Sequence, residues 1–430
     1  MPSAFISEEL MTMCIDIIKE MISLFWFWVL IGSCTKSIVS TDLSVIPVAS
    51  EVGKYEILNI SDYASSISYI PLETNDNALI YESISQIIYE REQFIILDLL
   101  QSCMVFNKNG RYLHNLGKRG LGPEEYLVIR NISLYGDSIF LHTTSPTKIR
   151  IYHSDGSLID ILKPDSIPER YNLYAIWFLN PQVYLSDVVT MAANHSTASY
   201  PRALLLQEEN NQLIINREYP YVYIEKEIGG FSDSYEVATV YRFKDQIRTY
   251  KAINDTVFTV GSDLEMDKAY VFDFGKYRAS SKWMFEMAQN KLPIYIWPLN
   301  IMESSHYLFI EFFFGNFAPE LFEYLSRQGT PNERKSIDYR VFGLFDKRTG
   351  KLKLMNQPIK KKFGFKNDID GGPVIWPLYI SSNDELVFAV QPEEFMDCYK
   401  KVINPSAELT DIAKKIKLDD NPIVIITHLK

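Results

Sequence analysis

The chain has 430 residues, a formal net charge of −11, 47% hydrophobic and 13% aromatic residues. That much apolar sequence with 23% charged residues excludes a mainly disordered chain. The acidic balance excludes a nucleic-acid partner, because phosphate binding needs a clustered positive surface and Lys360, Lys361 and Lys362 form the one basic run.

The first predicted element is an export signal. Residues 21–32 read MISLFWFWVLIG without a charge, the length of a signal-peptide core and short of the ~20 residues that span a bilayer. The stretch ends in Ile31, Gly32, Ser33 and Cys34, which resembles a bacterial lipobox, where small residues precede the cysteine that takes lipid. Residues 1–33 are therefore read as a signal peptide, and Cys34 as the lipidated residue that attaches the chain to a membrane. Glu8, Glu9, Asp16 and Glu20 crowd a region where a signal carries positive charge, which points to translation from Met11, Met13 or Met21. Residues 34–54 are small, polar and β-branched, as a tether is, so the folded domain is expected over 55–430.

Strand follows strand from there. ISYIPLET (67–74) comes first, and 84–117 then supplies three strands, with the hairpin turn NKNG at 107–110. The loop GKRGLGPEEY (117–126) leads to a second unit at 129–162, where Asp155 and Gly156 stand in the place of Asn109 and Gly110. In that loop Gly117, Gly120 and Gly122 let the chain turn sharply, Pro123 fixes φ, and Tyr126 begins the next apolar run, so the loop is read as structural. Further units lie at 177–217, 245–275, 302–354 and 374–391. Phe395, Cys398, Tyr399 and Val402 recur at helical spacing, as do Leu409, Ile412 and Ile416 after the cap Ser406. A β-branched run, 419–429, returns at the C-terminus.

Six such units predict an all-β, six-bladed β-propeller with short helices near the C-terminus. The final strand should close the ring by pairing with an N-terminal strand near Ile57 or Ile67, which removes an exposed sheet edge.

The GKRGLGPEEY loop resembles the blade junction of NHL-repeat propellers. With YIPLET (69–74), YVFDFGKY (270–277), DIDGGPVIWP (368–377) and DNPIVI (420–425), the chain more closely resembles the six-bladed propeller lipoproteins of Bacteroides and related gut bacteria. It departs from the NHL pattern at Glu124, where Gly is usual, and in carrying one clear copy of the glycine motif. The resemblance implies a propeller in the bacterial cell envelope, on the periplasmic face or the cell surface. Biochemical activity in that family is mostly unassigned. Its association with glycan uptake makes a carbohydrate or peptide the expected ligand of a binding or scaffold module.

Asp368 and Asp370, followed by Gly371 and Gly372, lead into Trp376 and form the first candidate for a ligand loop at the channel mouth. It is not a calcium loop, since placing Gly371 sixth puts Lys366 first and Pro377 twelfth. Tyr295 and Trp297, flanked by Pro293 and Pro298, are the second candidate, as rings that stack on a sugar face. The aromatic runs 283–285 and 312–317 are read as core. Six scattered histidines form no zinc spacing, and no GxSxG elbow or P-loop occurs, so neither a metal nor a cofactor is implied. Cys103 and Cys398 are read as two separate thiols. The rival function is a channel-centred glycan lyase or glycoside hydrolase, whose two carboxylates would stand ~5–9.5 Å apart in the fold. Oligomeric state is left open.

Overall fold

The computed structural model describes residues 43–81, 83–168, 171–190, 201–220, 239–251, 255–278, 295–326 and 334–430. Their strands form an all-β, six-bladed propeller. Blade one is Ile84–Glu90, Gln93–Asp98, Cys103–Asn107 and Tyr112–Asn115; blade two is Val128–Tyr135, Ser138–Thr144, Lys148–His153 and Leu158–Leu162. Blade three is Tyr171–Asn180, Val183–Thr190, Pro201–Glu209 and Gln212–Pro220; blade four is Thr239–Phe243, Gln246–Tyr250, Thr256–Val260 and Met266–Phe272. Blade five is Trp297–Glu303, Tyr307–Phe313, Arg340–Asp346 and Lys351–Met355, with the hairpin Phe322–Ser326 and Arg334–Asp338 inserted after its second strand. Blade six is Tyr379–Ile380, Glu385–Val390 and Ile423–Leu429, completed by Ala64–Pro71.

Second strands such as QFIILD and YLFIEFF are near-continuous apolar runs because each blade is packed on both faces. The outermost strand of blade one, Tyr112–Asn115, alternates between half-buried and exposed residues. Phe272, Phe312, Phe314 and Tyr250 fill the space between blades four and five. The turns at Gly110 (φ +78°) and Gly156 (φ +88°) are equivalent, each joining the third and fourth strands of its blade.

The ring closes as the sequence predicts. Ile423–Leu429 pairs antiparallel with Ala64–Pro71, with Thr427 opposite Ile67. Both C-terminal helices are present at Pro392–Tyr399 and Ala407–Lys415, and the Ser406 hydroxyl caps the second by accepting from the Leu409 N–H at 3.1 Å.

The structure differs before Tyr55. Ser44–Ile46 adds a parallel fifth strand to blade four, opposite Tyr270–Phe272, and Tyr55–Glu56 adds one to blade five. Ile46 and Val48 are fully buried. The folded part therefore includes residues 43–54, which the sequence assigns to a tether, and 43–71 forms a belt over the outer edges of blades four, five and six. The cause is local: small β-branched residues suit a sheet edge as well as they suit a linker.

The first strand of each blade faces the axis, where no backbone ladder joins one blade to the next, so edge amides need other partners. The Gln86 side chain donates to the Ile132 carbonyl at 3.2 Å and accepts from the Ile132 N–H at 3.1 Å. Asn131 repeats this one blade on, bonding the Ile176 carbonyl at 3.0 Å and N–H at 3.2 Å. The Tyr241 hydroxyl joins blades four and five by donating to Glu303 at 3.1 Å, and Tyr379 joins blades six and one by donating to Glu90 at 2.9 Å.

Candidate functional site

The two ends of the ring differ. At one, strands are joined by tight polar turns such as 91–92, 136–137, 244–245 and 381–384. The other carries the long connections: 116–127, 356–378 and 391–422, together with the blade-five insertion. Exposed large apolar residues gather there, among them Leu99, Leu100, Leu121, Leu321, Ile359 and Leu378, while among the described residues none lies in a tight turn. Inner strands run from the long-connection end to the tight-turn end.

Polar chemistry and rings meet at the long-connection end of the junction between blades five and six. Glu311, on the second strand of blade five, is paired in register with Asn300 of the inner strand. Its Oε1 accepts from the Trp376 indole N–H at 3.0 Å. Burial pushes the Glu311 carboxyl above its ordinary range, although Arg340, Trp376 and Asn300 all favour the anion. Beside it Asp338 is gripped by Arg340, with Nε 3.0 Å from each oxygen and Nη2 2.7 Å from Oδ2. The Arg340 guanidinium lies 5.2 Å from the centre of the Phe363 ring, which stacks on Phe342. Half-buried Phe313 and Tyr339 approach each other at 5.4 Å. The group combines one carboxyl that is easily protonated, one anchored ion pair and three partly exposed rings.

The sequence candidates fall on either side of this group. Trp297 is not in a loop: it opens the inner strand of blade five, is 7% exposed, and stacks on Phe313 with ring centres 4.1 Å apart. Pro298 is tolerated because that strand has no ladder partner on its axial side. Tyr295 lies just before it, half-buried. Trp376 is a core residue whose ring packs on Phe342 at 4.3 Å and Phe309 at 5.8 Å, so it reaches the site through its indole N–H alone. Asp368 and Asp370 lace their own loop to the belt. Asp368 accepts from the Ser61 N–H at 3.0 Å and hydroxyl at 2.6 Å, and Asp370 accepts from the Tyr69 hydroxyl at 3.0 Å and the Gly372 N–H at 2.9 Å. Their carboxylates build the turn that delivers Phe363, Phe365 and Trp376. Cys34 lies outside the described residues, as do residues 283–285 and His195.

The GKRGLGPEEY loop is held by its own contacts. Gly117 has φ +67°, and a Cβ there would sit 2.5 Å from the Tyr152 hydroxyl. Gly120 and Gly122 leave room for the Glu125 carboxylate, which accepts from the Gly122 N–H at 2.8 Å. Tyr126 donates to the Leu116 carbonyl at 3.2 Å, and Pro123 is exposed. Beneath the loop the buried Arg150 donates to the carbonyls of Glu124 and Glu125 and to the Thr143 hydroxyl.

A second ionic cluster lies at the tight-turn end. The fully buried Glu303 accepts from Arg248 Nε (3.2 Å), the hydroxyls of Tyr241 (3.1 Å) and Tyr270 (2.7 Å), and Lys347 Nζ (3.0 Å). Burial raises both tyrosine hydroxyls and lowers Lys347, with Glu303 opposing the latter. With four donors on one carboxylate, the cluster locks blade four to blade five and has no valence left for a substrate. Among the described residues no group of acidic, His and Cys side chains is placed to hold a metal ion, and Cys103 and Cys398 are unpaired thiols.

Sequence reasoning missed Glu311, Asp338 and Arg340. The available signal was the single acid inside FIEFFF, a charge at a position that the surrounding apolar run buries.

Three comparisons set this geometry among known proteins. A crystal structure of a Bacteroides fragilis protein described as exported matches with a TM-score of 0.60 and 17% identity, over 90% of this chain and 99% of that one. A member of the DUF4221 family from Bacteroides vulgatus aligns over 85% of this chain and 97% of that one, with a TM-score of 0.48 and 12% identity. The first of these likenesses shows the propeller fold. No curated protein matches. The model of one family, a domain of unknown function, matches residues 43–428, and the chain belongs to that family, DUF4934.

Proposed function

We propose that the chain is an envelope-resident binding module, carried on lipid at Cys34, that takes a glycan at the long-connection end of the junction between blades five and six. One observation carries the reading: Asn300, Glu311, Asp338 and Arg340 stand beside the partly exposed rings of Phe313, Tyr339 and Phe363. Amide, carboxyl and guanidinium groups hold sugar hydroxyls, and rings cover the apolar face of a pyranose. Because Arg340 already neutralises Asp338, the patch presents little net charge, which suits a neutral glycan better than a charged peptide. The likeness to a Bacteroides protein described as exported supports the envelope address.

The test is a glycan and peptide array on the full chain, followed by titration of Glu311→Gln. That isosteric change keeps the packing and should weaken a glycan hit about tenfold by replacing the carboxyl that meets the sugar hydroxyls with an amide of different donor and acceptor pattern. Undiminished affinity rejects the site, and a peptide hit in place of a glycan rejects the ligand class. Trp376→Ala is unsuitable as a test, because it would empty the core.

A second reading rests on Glu311 alone. A carboxyl with a raised pKa can act as a general acid, so a glycan hit should also be assayed for cleavage. Activity must fall as pH rises through that pKa and vanish in Glu311→Gln; a hit that stays intact rejects catalysis.

A further inference from the structure

The tight-turn end of the axis holds a cation that reaches across the ring. Arg242 lies on the inner strand of blade four, Thr239–Phe243. Its Nη2 donates to the Phe178 carbonyl of blade three. Its guanidinium carbon is 6.0 Å from the ring centre of Tyr135, the last residue of the inner strand of blade two. It is also close enough to Tyr379 of blade six for their charges to act on each other. Blade four adjoins only blades three and five, so the approach to the Tyr135 ring of blade two is made from the channel side. The guanidinium is therefore directed into the channel.

Its partners do not match its charge. Among the described residues Arg242 makes no ion pair, and its buried Nε has no hydrogen-bond acceptor. Burial lowers its pKa, and Asp245 opposes this through space. The nearby carboxylate of Glu90 is already engaged by the Tyr379 hydroxyl at 2.9 Å and by the Ser382 N–H at 2.7 Å. A partly buried guanidinium without a counter-charge is a strong planar donor to a carboxylate. Glu90, Asp245 and the formal charge of −11 disfavour a dianion at the same place.

We propose that Arg242 is the anchor of a binding site for a small monocarboxylate at the tight-turn end of the axial channel. The ligand carboxylate accepts from the Nη1 side of the guanidinium, which the bond to Phe178 leaves open, while the ring of Tyr135 forms one wall. This site is independent of the glycan site at the opposite end.

The test is calorimetric titration of the full chain with glucuronate, acetate and inorganic phosphate at low salt. Glucuronate or acetate should saturate wild type, and Arg242→Gln should bind at least tenfold more weakly. Arg242→Lys, which keeps the charge and loses the fork, should fall between them. Asp245 is exposed, so Asp245→Asn leaves the fold intact and should tighten carboxylate binding a few-fold in a salt-sensitive way. Any of three results overturns the proposal: no carboxylate saturation below about 10 mM, equal affinity in Arg242→Gln, or weaker binding in Asp245→Asn. Phosphate binding tighter than either carboxylate overturns the assignment of ligand class.

Discussion

Val45 and Ile46 are adjacent, and the belt treats them oppositely: Val45 is 51% exposed while Ile46 is fully buried. If residues 43–54 were a tether, Ile46→Ala and Val45→Ala would be equally silent. In the fold, Ile46 packs among Tyr250, Phe272 and Phe312, and its carbonyl accepts from the Asp273 N–H at 2.9 Å. Replacing it by Ala removes three buried carbons, about 2.4 kcal/mol at ~0.8 kcal/mol each. The cavity left between two packed sheets adds to this, for a total of about 3–4 kcal/mol. Val45→Ala should cost less than about 0.5 kcal/mol. Urea unfolding followed by tryptophan fluorescence reads the difference as a lower midpoint for Ile46→Ala at unchanged slope. In a chain this long the melting temperature should fall by about 3–5 °C. Coincident curves for the two variants would refute the belt and restore a tether to residue 54.

Two further outcomes follow from buried polar groups. Arg150→Met should cost about 2–4 kcal/mol in urea unfolding, because the carbonyls of Glu124 and Glu125 lose their donor; a smaller loss would mean that the GKRGLGPEEY loop holds itself. His142, buried against Asn131, is pushed by burial down to about 3, with Arg130 adding to the shift. The folded state thus keeps the imidazole neutral, so its contribution is complete above about pH 6.5 and is lost as pH falls towards 3. Urea midpoints should therefore decline with acid more steeply in wild type than in His142→Gln, and parallel declines would refute the assignment.

The fold was legible where turns and periodicity agree. Gly110 and Gly156 mark equivalent turns, Ser406 caps its helix, and the β-branched run before Leu429 returns to close the ring. What misled were strands whose partner is distant. Thr239–Phe243 is too short and polar to stand out, and Trp297–Glu303 carries a proline that signals a loop unless its axial edge is known to be free of a ladder. Ser44–Ile46 pairs with residues more than two hundred positions on, which no local pattern encodes. The candidate site was legible in its region and not in its residues. Residues 368–377 do lead to it, yet Asp368, Asp370 and Trp376 build it from behind, while Glu311, Asp338 and Arg340 come from strands that only the blade register brings together.

The placement of charge follows from how the ring is closed at its axis. Blades one to three are joined there by neutral amides, Gln86 on Ile132 and Asn131 on Ile176, each satisfying one backbone pair and leaving no charge. The junctions of blades three with four, four with five, and six with one use ionisable groups for the same purpose: Arg242 on Phe178, Tyr241 on Glu303, and Tyr379 on Glu90. The two amide-bridged junctions are therefore neutral, while the other three carry ionisable groups. Blades four and six, which supply Tyr241, Arg242 and Tyr379, are also among the blades whose outer edges the belt covers, with Ser44–Ile46 on blade four, Tyr55–Glu56 on blade five and Ala64–Pro71 on blade six. Charged groups hold useful geometry only on elements that do not yield, because a loosened site loses more than a loosened core. Extra strands at the rim stiffen the blades that carry Arg242 on an inner strand and Glu311 and Arg340 on second and third strands, so the belt and the two proposed sites share the same blades.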